Sequence, residues 1–284
     1  MTTGITTYSD ISAYVSSLYD RSLFVAREAN LMTQLVRQFS ATGWMSRVLT
    51  TRPSLSAQSV GEGEDYSSPE VFGKSAQATL TPGEVIAQVI ITDRDLESDP
   101  DNVRTDAALE LGNAIATKID TDLVSCFTSF TKDVGPGAGS SATIAKFAAG
   151  VAILRNAKVP TPINVVLHPY HWHDIWVQLG QPAGTYAFLG EVANQAMKDY
   201  AVTNMLQMRW FVSANIPVDT NDDAVSGIFS AQAIGFDTRR APRLEAERDA
   251  SLRAWEFNMT AGYAYGVIRN TYGVKFTADA TEPT

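Results

Sequence analysis

Cysteine is nearly absent: Cys126 is alone in 284 residues, which excludes an intrachain disulfide and every metal or redox motif built from several cysteines. Stability has to come from packing or from assembly. Long apolar runs are missing too. The best candidates are broken by Gln88, Asp93 or Asn164, short of the roughly 18 to 20 residues that span a bilayer. The first residues, MTTGITTYSDISAYV, lack the basic and apolar regions of a secretory signal, which points to folding in a cytosol. Lysine is scarce, 7 against 15 arginines, and arginine is the cation that interfaces favour, so the skew points to an oligomer. A net charge of −9 argues against a dedicated nucleic-acid binder, which needs clustered cations.

What is present is an ordinary globular balance, 45% hydrophobic and 19% charged, enough for a real core in one large mixed domain or two lobes. Residues 11–39 carry Leu18, Phe24, Val25, Leu31, Leu35 and Phe39 at three- and four-residue steps, predicting a helical arm that needs a partner surface. A polar stretch rich in Gly, Ser and acids follows Pro53. Residues 76–92 alternate in twos (Ala78, Leu80, Val85, Ala87, Val89, Ile91) around Thr81-Pro82-Gly83. Paired with residues 54–60, they would form an acidic-tipped hairpin some 50 Å long, at about 3.3 Å per residue. A ribbon of that length is not stable alone.

The most regular stretch comes next. Ser98-Asp99-Pro100-Asp101 has the hydroxyl cap, early proline and acid of a helix start. Ala108, Leu111, Ile115, Ile119, Leu123, Cys126 and Phe127 then mark one apolar face of a long helix, closed by Gly135-Pro136-Gly137. Beyond it a mixed lobe is expected: a helix carrying Ile144, Phe147, Ala148, Val151 and Leu154, and a buried strand over residues 163–167. Helices follow over 169–179 and 191–206, then extended segments over 209–218 and 225–236. Residues 243–278, rich in Phe, Tyr, Val and Trp, return as strands.

The motifs with chemistry in them are weak. His168, His171 and His173, with Asp174, could in principle ligate a metal, but His171 and His173 lie about 200° apart on a helix and do not converge. A structural role is the better reading. No G-x-S-x-G is present, Cys126 sits mid-helix, and the glycines at 135, 137 and 139 lack the G-K-[ST] ending of a phosphate loop. Residues 237–256 mix both charge signs closely, as a solvated strand face or a subunit junction does.

Taken in order, the arm, the acidic-tipped hairpin, the spine helix and the mixed lobe with its strand-rich return resemble the major capsid proteins of tailed phages over nearly the whole chain. The likeness is most local at residues 89–125, where a strand, a short turn at 93–97 and an acidic break lead into the helix carrying Asp120. The closing TAGYAYGVIRNTYGVKF is similar to the family's last segment.

The resemblance implies an α+β, Hong Kong 97-type capsid fold. Residues 1–50 would be an N-terminal arm, 51–92 an extended loop, 93–142 with 237–284 a peripheral domain, and 143–236 an axial domain. It implies a major capsid protein forming pentamers and hexamers of an icosahedral shell around double-stranded DNA, in the virion, assembled in the host cytoplasm. An acidic wall that does not adhere to packed DNA suits that role. It further implies a portal and a decoration protein as partners and, because the chain opens on Met1 with no leading scaffold segment, a separate scaffolding protein. No membrane, cofactor, metal or catalytic residue is expected. Candidate subunit-interface residues are Arg21, Arg27 and Arg37 in the arm, and Glu62, Glu64, Asp65 and Lys74 in the loop. Arg239, Arg240, Arg243, Glu245, Glu247 and Arg248 complete the set in the charged strip. Some members crosslink their shells through a loop lysine and a neighbour's asparagine. Lys74 has no matching arrangement around Asn258 or Asn270, so no crosslink is expected. The alternatives are an encapsulin-type compartment shell and a metal-dependent hydrolase using the three histidines.

Overall fold

A computed structural model describes residues 31–52, 55–65, 70–98, 100–180 and 204–283. Two sheets and a detached two-stranded ribbon organise them. The first sheet has four strands. At one edge β1 (Arg37–Ser40) runs parallel to β9 (Ile234–Asp249), which pairs antiparallel with β10 (Ala254–Val267); β10 pairs in turn with β4 (Gly83–Thr92) at the other edge. Alternation decides which way these strands face. Along β4, Val85, Ala87 and Val89 are half-buried and Ile91 fully so, while Ile86, Gln88 and Ile90 are exposed. Met259, Ala261 and Tyr263 of β10 join the same core.

That core is closed by the long helix. After α1 (Asp93–Ser98), α2 runs over Pro100–Ser125 and ends in a 3-10 turn, Cys126–Ser129. Leu111, Ile115, Ile119, Leu123, Cys126 and Phe127 are buried, as their spacing predicts. The helix stops ten residues before Gly135, because the 3-10 turn and an extended Phe130 already break it. Its apolar stripe also contains two carboxylates that the spacing does not reveal. Asp120 accepts the backbone N–H groups of Leu31 and Met32 and the Asn215 amide, and Asp122 accepts the Tyr263 hydroxyl at 2.6 Å. Buried acids persist where such donors satisfy them.

The second sheet carries the mixed lobe. Its order is β11 (Gly273–Asp279), β8 (Asp223–Ser230), β5 (Ile163–Leu167), β7 (Met208–Val212) and β6 (Asn204–Met205). With neighbours on both edges, β5 is buried at every residue, as a continuous apolar run should be. Helices α3 (Ile144–Asn156) and α4 (Pro169–Gly180) supply Phe147, Leu154, Trp172 and Ile175 to this core. Phe147 stacks on Phe276, ring centroids 3.9 Å apart, and lies 5.0 Å from Trp210. Of the face read for α3, only Ala148 points outward.

Several expectations need correction. Of the helical arm read over residues 11–39, residues 11–30 lie outside the described residues; among those described, Met32–Gln34 is a 3-10 turn and Arg37–Ser40 a strand, because pairing with β9 outweighs local helix propensity. The predicted hairpin splits in two. β3 (Ser75–Leu80) pairs with β2 (Arg47–Thr51) and not with residues 54–60, while β4 leaves the ribbon for the four-stranded sheet. The extended segment from 209 stops at Val212. The helix expected over 191–206 falls mostly outside the described residues; within them 204–205 is strand, followed by left-handed Leu206 and Gln207. The last strand, β11, joins β8 in the five-stranded sheet.

Candidate assembly surface

The two-stranded ribbon leaves the four-stranded sheet at a short, dense root. Leu80, the last residue of β3, is 1% exposed. It rests over Gly235 and Gly266, which face each other in the β9–β10 pair; a Cβ on either would lie 3.2 Å from its methyls. Trp44 covers Gly262 in the same way, where a Cβ would meet the indole at 2.8 Å. Glycine is the residue that lets these side chains approach the sheet backbone.

Charge completes the root. Asp237 on β9 is fully buried, and one of its oxygens accepts from Arg47 Nε at 2.6 Å and from the Arg239 guanidinium at 2.8 Å. Arg47 begins β2, and its guanidinium also lies over the Phe39 ring. Arg240 pairs with Glu84 and stacks on Trp44. Farther along, Arg248 grips Asp93 with two bonds of 2.5 and 2.6 Å, which holds that carboxyl below its usual range.

Beyond the root the ribbon turns its side chains to solvent. Val48, Leu55, Val60 and Phe72 are exposed, and Val71 is 85% so. Its local ties are polar and small: Ser56 donates to Glu70, and Arg52 reaches the Phe72 carbonyl at 3.4 Å while covering its ring.

The candidate interface residues separate accordingly. Arg21 and Arg27 lie outside the described residues. Glu62, Glu64, Asp65 and Lys74 are exposed on the segment that β2 and β3 bracket. Arg37 is exposed on β1, over Phe39. Arg239, Arg240 and Arg248 are engaged within the chain, Arg243 pairs with Glu245 at 2.6 Å, and Glu247 is exposed. Sequence reasoning passed over Asp237, Arg47 and Glu84, the partners that organise the strip. Asp237 stands at its head as one acid among many, and only burial distinguishes it.

The histidines do separate structural work. His171 is buried between the Ser226 hydroxyl at 2.8 Å and the Ala278 carbonyl at 3.1 Å. A carbonyl only accepts, so Nε2 carries the proton and Nδ1 accepts from Ser226. Burial lowers the His171 pKa to about 4. The His168 ring accepts from the Tyr170 N–H at 3.3 Å, and half-buried His173 lies against Trp176. Among the described residues no group of three His, Cys, Asp or Glu side chains could hold a metal. Burial raises the Cys126 thiol to about 12, far from a reactive thiolate. No helix among the described residues is long and apolar enough to cross a membrane.

A spine helix on a four-stranded sheet, a mixed five-stranded lobe and an outlying ribbon make up a Hong Kong 97-type capsid subunit, an α+β shell-building fold. The phage capsid protein family matches residues 84–276, and the chain belongs to that family. Solved structures agree on the fold. Mycobacterium phage Che8 is 18% identical with a TM-score of 0.67, covering 81% of this chain and 84% of its own. The head structure of Helicobacter pylori bacteriophage KHP40 is 12% identical with a TM-score of 0.68, over 87% and 88%. The capsid of a native GTA particle is 12% identical with a TM-score of 0.69, over 88% and 90%. No curated protein matches. The chain is therefore a capsid shell protein and a virion component, structural and not enzymatic; neither the compartment shell nor the hydrolase is favoured.

Proposed function

We propose that this chain is the repeating subunit of a closed icosahedral shell, arranged as pentamers and hexamers around the double-stranded DNA of a tailed phage. One observation carries the reading. The ribbon of residues 47–80 is tied to the body through Arg47, Thr51 and Leu80 and exposes Val48, Leu55, Val60, Val71 and Phe72, an apolar surface that the chain's own core leaves uncovered. A neighbouring subunit is the natural cover for such a surface, and contacts multiplied around a closed shell give a stability no single contact supplies.

Within that subunit, the four-stranded sheet with α2 forms the peripheral domain and the lobe around β5 the axial domain, with β4 assigned to the former and β11 to the latter. The exposed acids Glu62, Glu64 and Asp65, with Arg37, Lys74, Arg243 and Glu247, line subunit contacts. Scaffolding, portal and decoration functions belong to separate chains, and assembly takes place in the host cytoplasm. Electron microscopy of the recombinant chain, alone and with a co-expressed scaffold, tests the reading. Closed shells of uniform diameter are expected; a monomer that persists under both conditions overturns it.

A further inference from the structure

The ribbon's attitude depends on a few contacts with the body. A two-stranded hairpin has no independent stability in water, so its direction is set where it joins the body. At that junction Leu80 supplies an apolar contact over two glycines, which tolerates rotation because it is non-directional. Two directional bonds cross the junction: Arg47 donates to Asp237 at 2.6 Å, linking the first residue of β2 to β9 across 190 positions of sequence, and the Arg269 guanidinium donates to the Thr51 hydroxyl at the other end of β2 at 3.3 Å; the shorter one, between full charges, is the stronger.

We propose that Asp237 is the positioning residue of the extended ribbon: its buried carboxylate, acting through Arg47, holds residues 47–80 at the one angle to the sheet that shell assembly needs. The inference rests on the capsid reading and names the residues that set the ribbon's geometry. Three features carry it. Asp237 is 0% exposed, and a buried carboxylate that loses a cationic partner is strongly penalised, so the pair enforces a position more than it adds stability. Both guanidinium contacts converge on the same oxygen, Oδ2, while Oδ1 is buried with no hydrogen-bond partner. A ribbon swung away would leave this carboxylate with Arg239 alone, on its own strand. Finally, Arg47 is gripped from several sides, with a second nitrogen on the Ser40 carbonyl at 3.3 Å and its plane over Phe39, 5.1 Å from the ring centroid. Planar, multi-point engagement fixes an angle where a single lysine contact would not.

The test compares the full-length chain with Arg47→Met, Arg47→Lys and Arg239→Met, reading hydrogen exchange segment by segment and assembly by light scattering and electron microscopy. Arg47→Met keeps the apolar stem and removes the charge. It is expected to raise exchange at residues 47–51 and 75–80 about tenfold, leave 111–127 and 163–167 unchanged, and lower the yield of regular shells about tenfold. Arg47→Lys restores part of both. Arg239→Met, which takes a cation from the same carboxylate but from outside the ribbon, has the smaller effect on ribbon exchange and shells. Unchanged ribbon exchange in Arg47→Met overturns the proposal, as does a rise spread evenly over all segments or an equal loss in Arg239→Met. If the unaltered chain builds no shell, the capsid reading fails, and the exchange comparison still decides whether Asp237 positions the ribbon.

Discussion

The lobe around β5 and the ribbon of β2 and β3 are built from similar apolar residues and put them to opposite use. In the lobe, Phe147, Phe276, Trp210 and all of β5 are enclosed by helices and flanking strands. In the ribbon, Val48 faces solvent on a strand with one neighbour, and Val71 and Phe72 face solvent from the segment before β3, outside any strand. Burial follows from how many elements surround a strand rather than from its composition. Among the described residues the lobe encloses its own apolar side chains, and the ribbon, on the proposed reading, leaves its own to a neighbouring chain.

Substitutions should separate the two regions by what they damage. Phe147→Ala removes a ring stacked on Phe276 and leaves a cavity in the lobe; a loss of about 3 to 5 kcal/mol is expected, measured by chemical denaturation of the unassembled chain. Acid should strike the same lobe. His171 is held neutral by burial with a pKa of about 4 against 6.5 when free, so the unfolded chain binds more protons between those values. Stability is then complete above pH 6.5 and falls by about 3 kcal/mol as pH drops to 4, with His171→Gln flattening the dependence over this window. Tyr263→Phe leaves buried Asp122 with Lys118 but without the tyrosine hydroxyl, at a cost of about 1 to 3 kcal/mol in the same assay. Val71→Ser touches only the ribbon. It should change the stability of the single chain by no more than about 0.5 kcal/mol while reducing shell yield, seen by sedimentation. A Val71→Ser chain that assembles normally would remove the contrast between the regions.

Legibility tracked periodicity. The spine helix was readable because Leu111, Ile115, Ile119 and Leu123 repeat at helical spacing. The inward row Val85, Ala87, Val89 and Ile91 was readable because a half-buried strand alternates. The strand at 37–40 is not legible locally: the spacing up to Phe39 fits a helix as well, and the strand forms only through β9. The pairing of the ribbon was misplaced for a related reason. Alternation says which residues share a face, but nothing local says whether β4 continues along β3 or crosses to β10. The charged strip is half legible: Arg240 and Arg248 stand out along the chain, whereas Asp237 and Arg47 become a pair only across 190 residues.

By itself the sequence determined an acidic, cysteine-poor α+β chain with a long spine helix and a buried strand at 163–167, because composition and short-range period are properties of neighbours along the chain. Tertiary structure alone decided which strand pairs with which, that His171 is sealed between Ser226 and Ala278, and that Arg47 at the ribbon's root meets the buried Asp237 carboxylate. Those outcomes depend on desolvation and on contacts between residues far apart in sequence, which no local pattern encodes.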